Sequence, residues 1–319
     1  MRGTDTVTRP NGTPSEKMRL TPKEMRTFTF WSRLLPRLTR SMAPLGNLLL
    51  GPRIGFPPGF SAITRARRTG MVTMAEPEMD FGIRKMSASE TVMEAHASET
   101  AWVLLHRGAE LDFAGRRWSL FDEAPTALHL GPATPVAIRA LAADTEWAIV
   151  RTMNERRFAP TLYRPADLKP EYRGAGLVQN ACLRNVRLIF DHSTCPEANL
   201  VLGEVVNYPG RWSSYPPHHH DQPEIYHYRF THPEGYGQAE LGDAVLKVRA
   251  HDTVVIPPGL DHAQVSAPGY GIYYLRMIRH LPGNPYTGFT FSPSTCGRST
   301  LRTKAGRLPS YHFSIIENP

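Results

Sequence analysis

The residues in this sequence best suited to chemistry are two spaced histidines followed by a carboxylate. His218 and His220 are two positions apart, and in an extended strand such side chains point to one face while His219 points to the other. Glu224 follows after three residues that include Pro223, where the chain can turn and bring the carboxylate back beside the imidazoles. This spacing predicts three ligands for a divalent metal ion.

A fourth candidate ligand lies farther along the chain. The β-branched run Thr253–Ile256 leads into Pro-Pro-Gly, and His262 follows that turn on a predicted neighbouring strand. Three imidazoles and one carboxylate suit Zn, Mn, Fe, Co or Ni. Four protein ligands on an ion that accepts five or six leave positions for a substrate, which indicates catalysis rather than structural support.

The alternative is that these histidines form a solvated surface loop or a chance cluster. Seven of the 13 histidines fall between His218 and His262, and a lone His-x-His pair would not distinguish the two interpretations. The combination of His-x-His-x3-Glu with Pro-x-Gly-x2-His is much more restrictive, so we favour a metal site. We expect the remaining histidines of the stretch to face outward or to lie in loops, namely His219, His227, His232 and His251.

Short strands are the elements that must position these residues. The 25 glycines and 29 prolines are scattered between β-branched and aromatic runs, which is typical of many short strands rather than of long helices. The predicted strands around the ligands have no helical pattern between them and include Leu200–Val206, Ile225–Phe230 and Gly271–Ile278. This arrangement favours an antiparallel sandwich or barrel, and a small barrel can hold a metal ion at one end.

The first half of the sequence repeats the strand pattern without the ligands. The strand and Gly/Pro turn of residues 127–136 match the segment that ends at His262, and Val136 takes the position of the histidine. We therefore predict two β-barrels, one over residues 74–165 without a metal and one over residues 166–319 with it.

The charge of the chain is concentrated at its N-terminus. Residues 1–73 carry 13 Lys and Arg against 3 Asp and Glu, and the remaining residues carry 24 and 26, so the body is close to neutral despite a net charge of +8. We interpret residues 1–73 as a basic, disordered extension, or as upstream sequence with translation starting at Met71 or Met74. The neutral body argues against nucleic-acid binding. No apolar run approaches the roughly 20 residues of a membrane span, and three widely spaced cysteines favour a reducing cytoplasm.

Several segments around the predicted ligands resemble one known family. They are Leu202–Val205, Trp212–Asp221, Glu224–Tyr226, Tyr228–Phe230, Pro233–Gly237, Ala267–Tyr270 and Tyr273–Leu275, with Ser213–His218 the most specific. They resemble the 5-deoxyglucuronate isomerases of myo-inositol catabolism. This resemblance covers roughly residues 76–291 and implies an all-β bicupin, two antiparallel β-barrels of the double-stranded β-helix type, with the metal in the C-terminal barrel.

The resemblance also implies a cofactor and a reaction. One divalent transition metal ion, Zn, Mn or Fe, is expected on His218, His220, Glu224 and His262. The implied reaction is the aldose-ketose conversion of 5-deoxy-D-glucuronate to 5-dehydro-2-deoxy-D-gluconate, which needs a polarised C1 carbonyl and a base. The expected binding partner is then the substrate, a small sugar acid. We also expect the protein to be cytoplasmic and to form a homo-oligomer.

Candidate catalytic and substrate-binding residues follow from strand alternation and charge. Tyr226 and Tyr228 share the predicted face of Glu224, so these three are the candidate catalytic residues, with barrel packing as the alternative role of the tyrosines. Because a guanidinium pairs bidentately with a carboxylate, the candidate substrate-binding residues are Arg276, Arg229 and, beside them, Tyr274.

The match to the family has three departures. The family usually has a second acid where Pro223 stands, a glycine where His251 stands, and Tyr-His-Pro-Val where this chain has Asp261–Gln264. The ligands survive these changes, which therefore bear on substrate fit rather than on metal binding. Three alternatives stay open: an isomerase of a related uronate, an Fe-dependent cupin dioxygenase that would require oxygen, and a non-catalytic sugar-binding cupin.

Overall fold

The computed structural model describes residues 78–110, 114–176 and 178–293, and this part of the chain is almost entirely β-strand and turn. Two short 3₁₀ helices occur in it, Pro165–Asp167 and Val178–Asn180. No helix within these ranges has the length and apolar character of a membrane span. The predictions for residues 1–73 fall on residues outside the described part.

The strands of the first half pair with one another in antiparallel fashion. They are β1 (Met79–Met86), β2 (Thr91–Ala95), β3 (Glu99–Glu110), β4 (Ala114–Arg117), β5 (Ala127–Leu130), β6 (Pro135–Ala140), β7 (Thr145–Thr152) and β8 (Thr161–Tyr163). The main path runs β1-β7-β3-β5-β8, while β2 pairs with β6, and β3 also pairs with β4 and β6. Val136, the residue aligned with His262, is buried in β6.

The strands of the second half form two sheets. They are β9 (Pro170–Arg173), β10 (Arg184–Phe190), β11 (Leu200–Asn207), β12 (Trp212–His219), β13 (Glu224–Phe230), β14 (Tyr236–Leu241), β15 (Ala244–Arg249), β16 (Thr253–Ile256), β17 (His262–Ser266), β18 (Ile272–Arg279) and β19 (Thr290–Phe291). One sheet has the order β16-β13-β18-β11-β10-β9 and the other β15-β14-β17-β12-β19. Among the described strands, none of β1 to β8 pairs with a later strand. The predicted division at residue 165 is compatible with this pairing and stays a prediction.

Three apolar clusters hold the sheets together. One fills the first half around Trp102 and Trp147, whose rings meet edge to face at 5.9 Å. A second fills the second half and includes Tyr228. The third combines residues of both halves, such as Val103 of β3 and Leu202 of β11. Because neighbouring residues of a strand point to opposite faces, Trp102 serves the interior of its own half while Val103 serves the contact between halves.

Buried polar contacts also join the two halves. Arg117 donates to both carboxylate oxygens of Glu204, at 2.6 and 2.9 Å, and both side chains are fully buried. The hydroxyl of Tyr273 donates to the same carboxylate at 2.6 Å. In a second contact the carboxylate belongs to the first half: Glu99 of β3 accepts a hydrogen bond from the backbone N–H of Asn199 at 2.7 Å. Since buried charges are costly unless they are paired, these contacts favour one relative arrangement of the halves.

Candidate metal centre

Three strands bring the predicted ligands to one end of the second half. His218 of β12 pairs directly with His262, the first residue of β17. His220 follows the end of β12, and Glu224 begins β13 after the short turn that the sequence predicts. All four residues are buried, with at most 8% of each exposed.

Three of the four side chains converge closely. His220, Glu224 and His262 each offer one ligand atom, and these atoms lie within 4.8 Å of one another. Glu224 Oε2 is 3.2 Å from His220 Nε2 and 3.3 Å from His262 Nε2. The ring of His218 lies beside this group, with its centroid 4.6 Å from that of His262. The structure thus gathers all four predicted ligands, with His218 outside the tightest group of three.

The donor atoms of this group fit a cation. Glu224 Oε1, His262 Nε2 and His220 Nδ1 are buried and have no hydrogen-bond partner among the described residues. Such atoms are normally partnered in a folded protein, and two of the three, Glu224 Oε1 and His262 Nε2, belong to the cluster and are available to a cation, while the His220 nitrogen that faces Glu224 is Nε2. The other nitrogen of His262, Nδ1, donates to the carbonyl of Leu260 at 3.0 Å. This contact leaves a lone pair on Nε2, which is how ligating histidines are usually oriented.

The ionisation states also suit a metal ion. Burial lowers the pKa of His218 to about 3, and the neighbouring His262 adds to the effect, so the imidazole is neutral at pH 7. Burial alone would raise the pKa of Glu224, but the neighbouring imidazoles of His220 and His262 hold it well below its usual range. Neutral imidazole and ionised carboxylate are the forms that bind metals.

Tyrosines line the barrel interior behind the ligands. Tyr226 belongs to the same interior cluster as Tyr228 and Tyr274, on the face of β13 that alternation predicts. Its ring centroid is 4.5 Å from that of Tyr274 and 6.1 Å from that of His262. Burial raises the pKa of all three phenols, which therefore stay protonated and can donate hydrogen bonds.

Two of these hydroxyls are already engaged. Tyr228 donates to Gln264 Oε1 at 2.7 Å, and the Tyr274 hydroxyl lies 2.6 Å from Ser213 Oγ. These contacts favour packing roles for Tyr228 and Tyr274. Tyr226, which lies nearest the ligands in the strand order Glu224, Tyr226, Tyr228, is the interior tyrosine best placed to meet a substrate.

The two candidate arginines lie in different environments. Arg276 of β18 pairs across from Tyr226, and its Nε lies 3.9 Å from Glu224 Oε1. Its side chain is 17% exposed, so it can be reached from solvent. Arg229 lies on the opposite face of β13 and donates to Glu146 of the first half at 2.7 Å. The structure therefore does not bring Arg229 to the cluster, because residues an odd number of positions apart in a strand face opposite sides.

The neighbouring histidines lie outside the ligand cluster. His219 faces away, and its Nδ1 is 2.7 Å from Asp261 Oδ1. His227 faces outward from its own barrel as expected, yet it is buried, because that face packs on the first half and brings its ring 5.1 Å from Phe81. The other two lie between strands, His232 exposed and His251 half-buried.

A segment that the sequence did not mark also packs on the cluster. Residues 281–292, which we call the strap, follow β18 and contain β19. The ring of Tyr286 is 4.9 Å from that of His220, and the ring of Phe289 is 4.2 Å from that of His218. These residues have no spacing typical of metal ligands. Only the aromatic content of the segment could have indicated that it packs on the site.

Comparison with known proteins gives the family. A profile described as the KduI/IolB family matches residues 64–295, which is more than half of the chain. The chain belongs to the KduI/IolB family. Among curated relatives of this KduI/IolB protein, the 5-deoxy-glucuronate isomerase of Geobacillus kaustophilus (strain HTA426) is 27% identical over 238 residues, 66% of this chain and 84% of the relative. The protein of the same name from Lacticaseibacillus casei is 30% identical over 186 residues, 51% of this chain and 64% of the relative. The chain is thus an enzyme of the isomerase class.

Solved structures give the fold. An IolB-like protein from Salmonella typhimurium LT2 matches with a TM-score of 0.61 and 23% identity, over 69% of this chain and 89% of that one. The oxalate decarboxylase of Lactobacillus farciminis, in a formate complex, matches with a TM-score of 0.50 and 12% identity, over 67% and 79% of the two chains. Together with the strand pairing, these likenesses confirm the predicted all-β bicupin fold.

Proposed function

We propose that this KduI/IolB protein converts 5-deoxy-D-glucuronate to 5-dehydro-2-deoxy-D-gluconate in myo-inositol catabolism, with one divalent metal ion on His218, His220, Glu224 and His262. The observation that carries the proposal is the buried His/Glu cluster with Arg276 beside it. A cation site next to a guanidinium suits a substrate that has oxygens to be polarised at one end and a carboxylate at the other. The names of the curated relatives support this choice of substrate.

The ion, when bound, supplies Lewis acidity toward the C1 and C2 oxygens of the sugar. Arg276 binds the substrate carboxylate. Its contact with the Glu224 carboxylate is long, at 3.9 Å, so the guanidinium can still pair with a second carboxylate. Tyr226 stays protonated, since burial raises its pKa, and it donates to a substrate oxygen rather than acting as a base. The depressed pKa of Glu224 favours its ionised form, so we assign it the role of ligand first and of proton acceptor second.

The experiment is to follow ketose formation from 5-deoxy-D-glucuronate with and without a chelator. We expect activity to disappear on chelation and to return when Zn, Mn or Fe is added back singly. Equal rates under air and under nitrogen would exclude the Fe-dependent dioxygenase, and parallel assays with other uronates would test the related-uronate alternative. An absence of ketose with every ion would refute the proposal. The cytoplasmic location and the homo-oligomer stay predictions.

A further inference from the structure

Hydrogen bonds at both ends hold the strap against the ligand cluster. Near its start, Gln222 Nε2 donates to the carbonyl of Asn284 at 2.9 Å, and Asn284 Nδ2 donates to Asp221 Oδ2 at 3.0 Å. At its end, the backbone N–H of Ser292 donates to the carbonyl of Pro217 at 2.8 Å. These anchors directly precede and follow the His-x-His segment in the sequence. The strap is therefore held by the same stretch of chain that carries two of the proposed ligands.

Tyr286 is the strap residue that contacts both a proposed ligand and the proposed substrate arginine. Its ring lies edge to face with that of His220 at 4.9 Å, and Arg276 Cζ is 5.7 Å from the ring centroid. The backbone N–H of Tyr286 donates to His280 Nδ1 at 2.8 Å, which fixes the position of the residue. Since Arg276 Nε also lies 3.9 Å from Glu224 Oε1, the Tyr286 ring and the proposed ligand carboxylate both lie beside the same guanidinium.

We propose that Tyr286 is a substrate-contacting residue that sets specificity, its hydroxyl donating a hydrogen bond to the same substrate carboxylate that Arg276 binds. The inference rests on the proposed function for the presence of that carboxylate. A carboxylate has about four acceptor positions, of which a bidentate guanidinium takes two, so a phenol beside the guanidinium finds an acceptor free. The pair selects sugar acids over neutral sugars of the same size.

The other aromatic residues near the site do not offer this contact. The Tyr228 and Tyr274 hydroxyls are engaged by Gln264 and Ser213, deeper in the barrel. Phe289 packs on His218 but has no polar atom, and it is 42% exposed. Tyr226 pairs across from Arg276 and is assigned above to another substrate oxygen, so Tyr286 is the remaining tyrosine of this group that combines a hydroxyl with contact to the candidate substrate arginine.

The test uses Tyr286→Phe in the full-length, metal-loaded protein. Phenylalanine keeps the ring that packs on His220 and removes only the hydroxyl. The measurements are the Kd for D-gluconate by calorimetry, the KM for 5-deoxy-D-glucuronate and for its neutral amide, and the metal content. The matched control is Tyr172→Phe, the same change at an exposed tyrosine of β9, at the edge of its sheet.

We expect the acid affinities to weaken by about 10- to 100-fold, because the lost hydrogen bond has a charged acceptor. The loss for the amide should be at least tenfold smaller, and metal content and Tm should stay unchanged. Wild-type affinity in the variant, or equal losses for acid and amide, would overturn the inference, as would loss of the metal. If the unmodified protein does not isomerise 5-deoxy-D-glucuronate at all, the proposed function fails, and the inference fails with it.

Discussion

Replacing Glu204 by glutamine removes the negative charge from the fully buried pair that joins the two halves. Arg117 donates to both oxygens of this carboxylate, and Arg187 lies 3.5 Å from Oε2. Glutamine keeps the size of the side chain and one acceptor oxygen, but its amide nitrogen is a donor. The variant therefore leaves buried guanidinium groups that face a donor and lack the counter-charge.

Breaking a buried ion pair from one side costs about 3–5 kcal/mol, because the remaining charge is neither paired nor solvated. Both side chains of this pair are 0% exposed, so water cannot replace the lost carboxylate, and the full range applies. A folded domain is stable by roughly 5–15 kcal/mol, so this variant loses a large part of that free energy. Glu171→Gln is the matched control, since Glu171 pairs with Arg173 at 2.7 Å with side chains 51% and 42% exposed. Exposed pairs contribute about 1 kcal/mol or less.

Urea unfolding in the presence of a chelator measures both variants without a contribution from metal binding. We expect the loss of unfolding free energy to be several times larger for Glu204→Gln than for Glu171→Gln. The double variant Arg117→Met/Glu204→Leu should recover much of that loss, because apolar side chains leave no buried charge. Equal losses in the two glutamine variants would refute the argument that burial sets the cost.

His220→Ala should abolish isomerisation, a loss on the order of 4–7 kcal/mol in kcat/KM, while His219→Ala, which faces away from the cluster, keeps most activity. Metal analysis of both variants checks the cause, and equal loss of activity with unchanged metal would contradict it. Arg276→Lys should raise KM for the sugar acid about tenfold or more, because an ammonium cannot bind it bidentately, whereas Arg229→Lys changes Tm and leaves KM unchanged. Burial alone would raise the pKa of Glu99, but hydrogen bonds and charge from its neighbours lower it below 4.5. The folding free energy that the ionised Glu99 carboxylate contributes is therefore complete above pH 4.5 and is lost as pH falls through the pKa of the folded state. Glu99→Gln should therefore lower Tm at pH 7 and flatten the fall of Tm below pH 4.5.

The convergence of the proposed ligands could be predicted because their sequence pattern is local. His218, His220 and Glu224 lie within seven residues, and the period of a strand decides which of them share a face. His262 needed one further step, a strand after a Pro-Gly turn. The fold class rested on the same local signals, since frequent turn residues between β-branched runs leave no room for long helices.

The contacts between distant segments could not be predicted in this way. Alternation already put Arg229 on the face opposite Glu224, but nothing local shows that the first half covers that face. Tyr286 meets His220 across 66 residues of sequence. Which distant segments meet depends on how whole sheets dock, and a local period carries no information about docking.

The two faces of β13 lie in different environments. One face holds Glu224 and Tyr226 toward the ligand cluster, and the other presses Ile225, His227 and Arg229 against the first half. A shortened protein made only of the second half would expose this apolar and charged surface to water. It would also lose the contacts that pack against β13, the strand that carries Glu224. We therefore expect the first half to stabilise the strand that carries the proposed ligand Glu224, and the second half alone to be less stable than the whole protein.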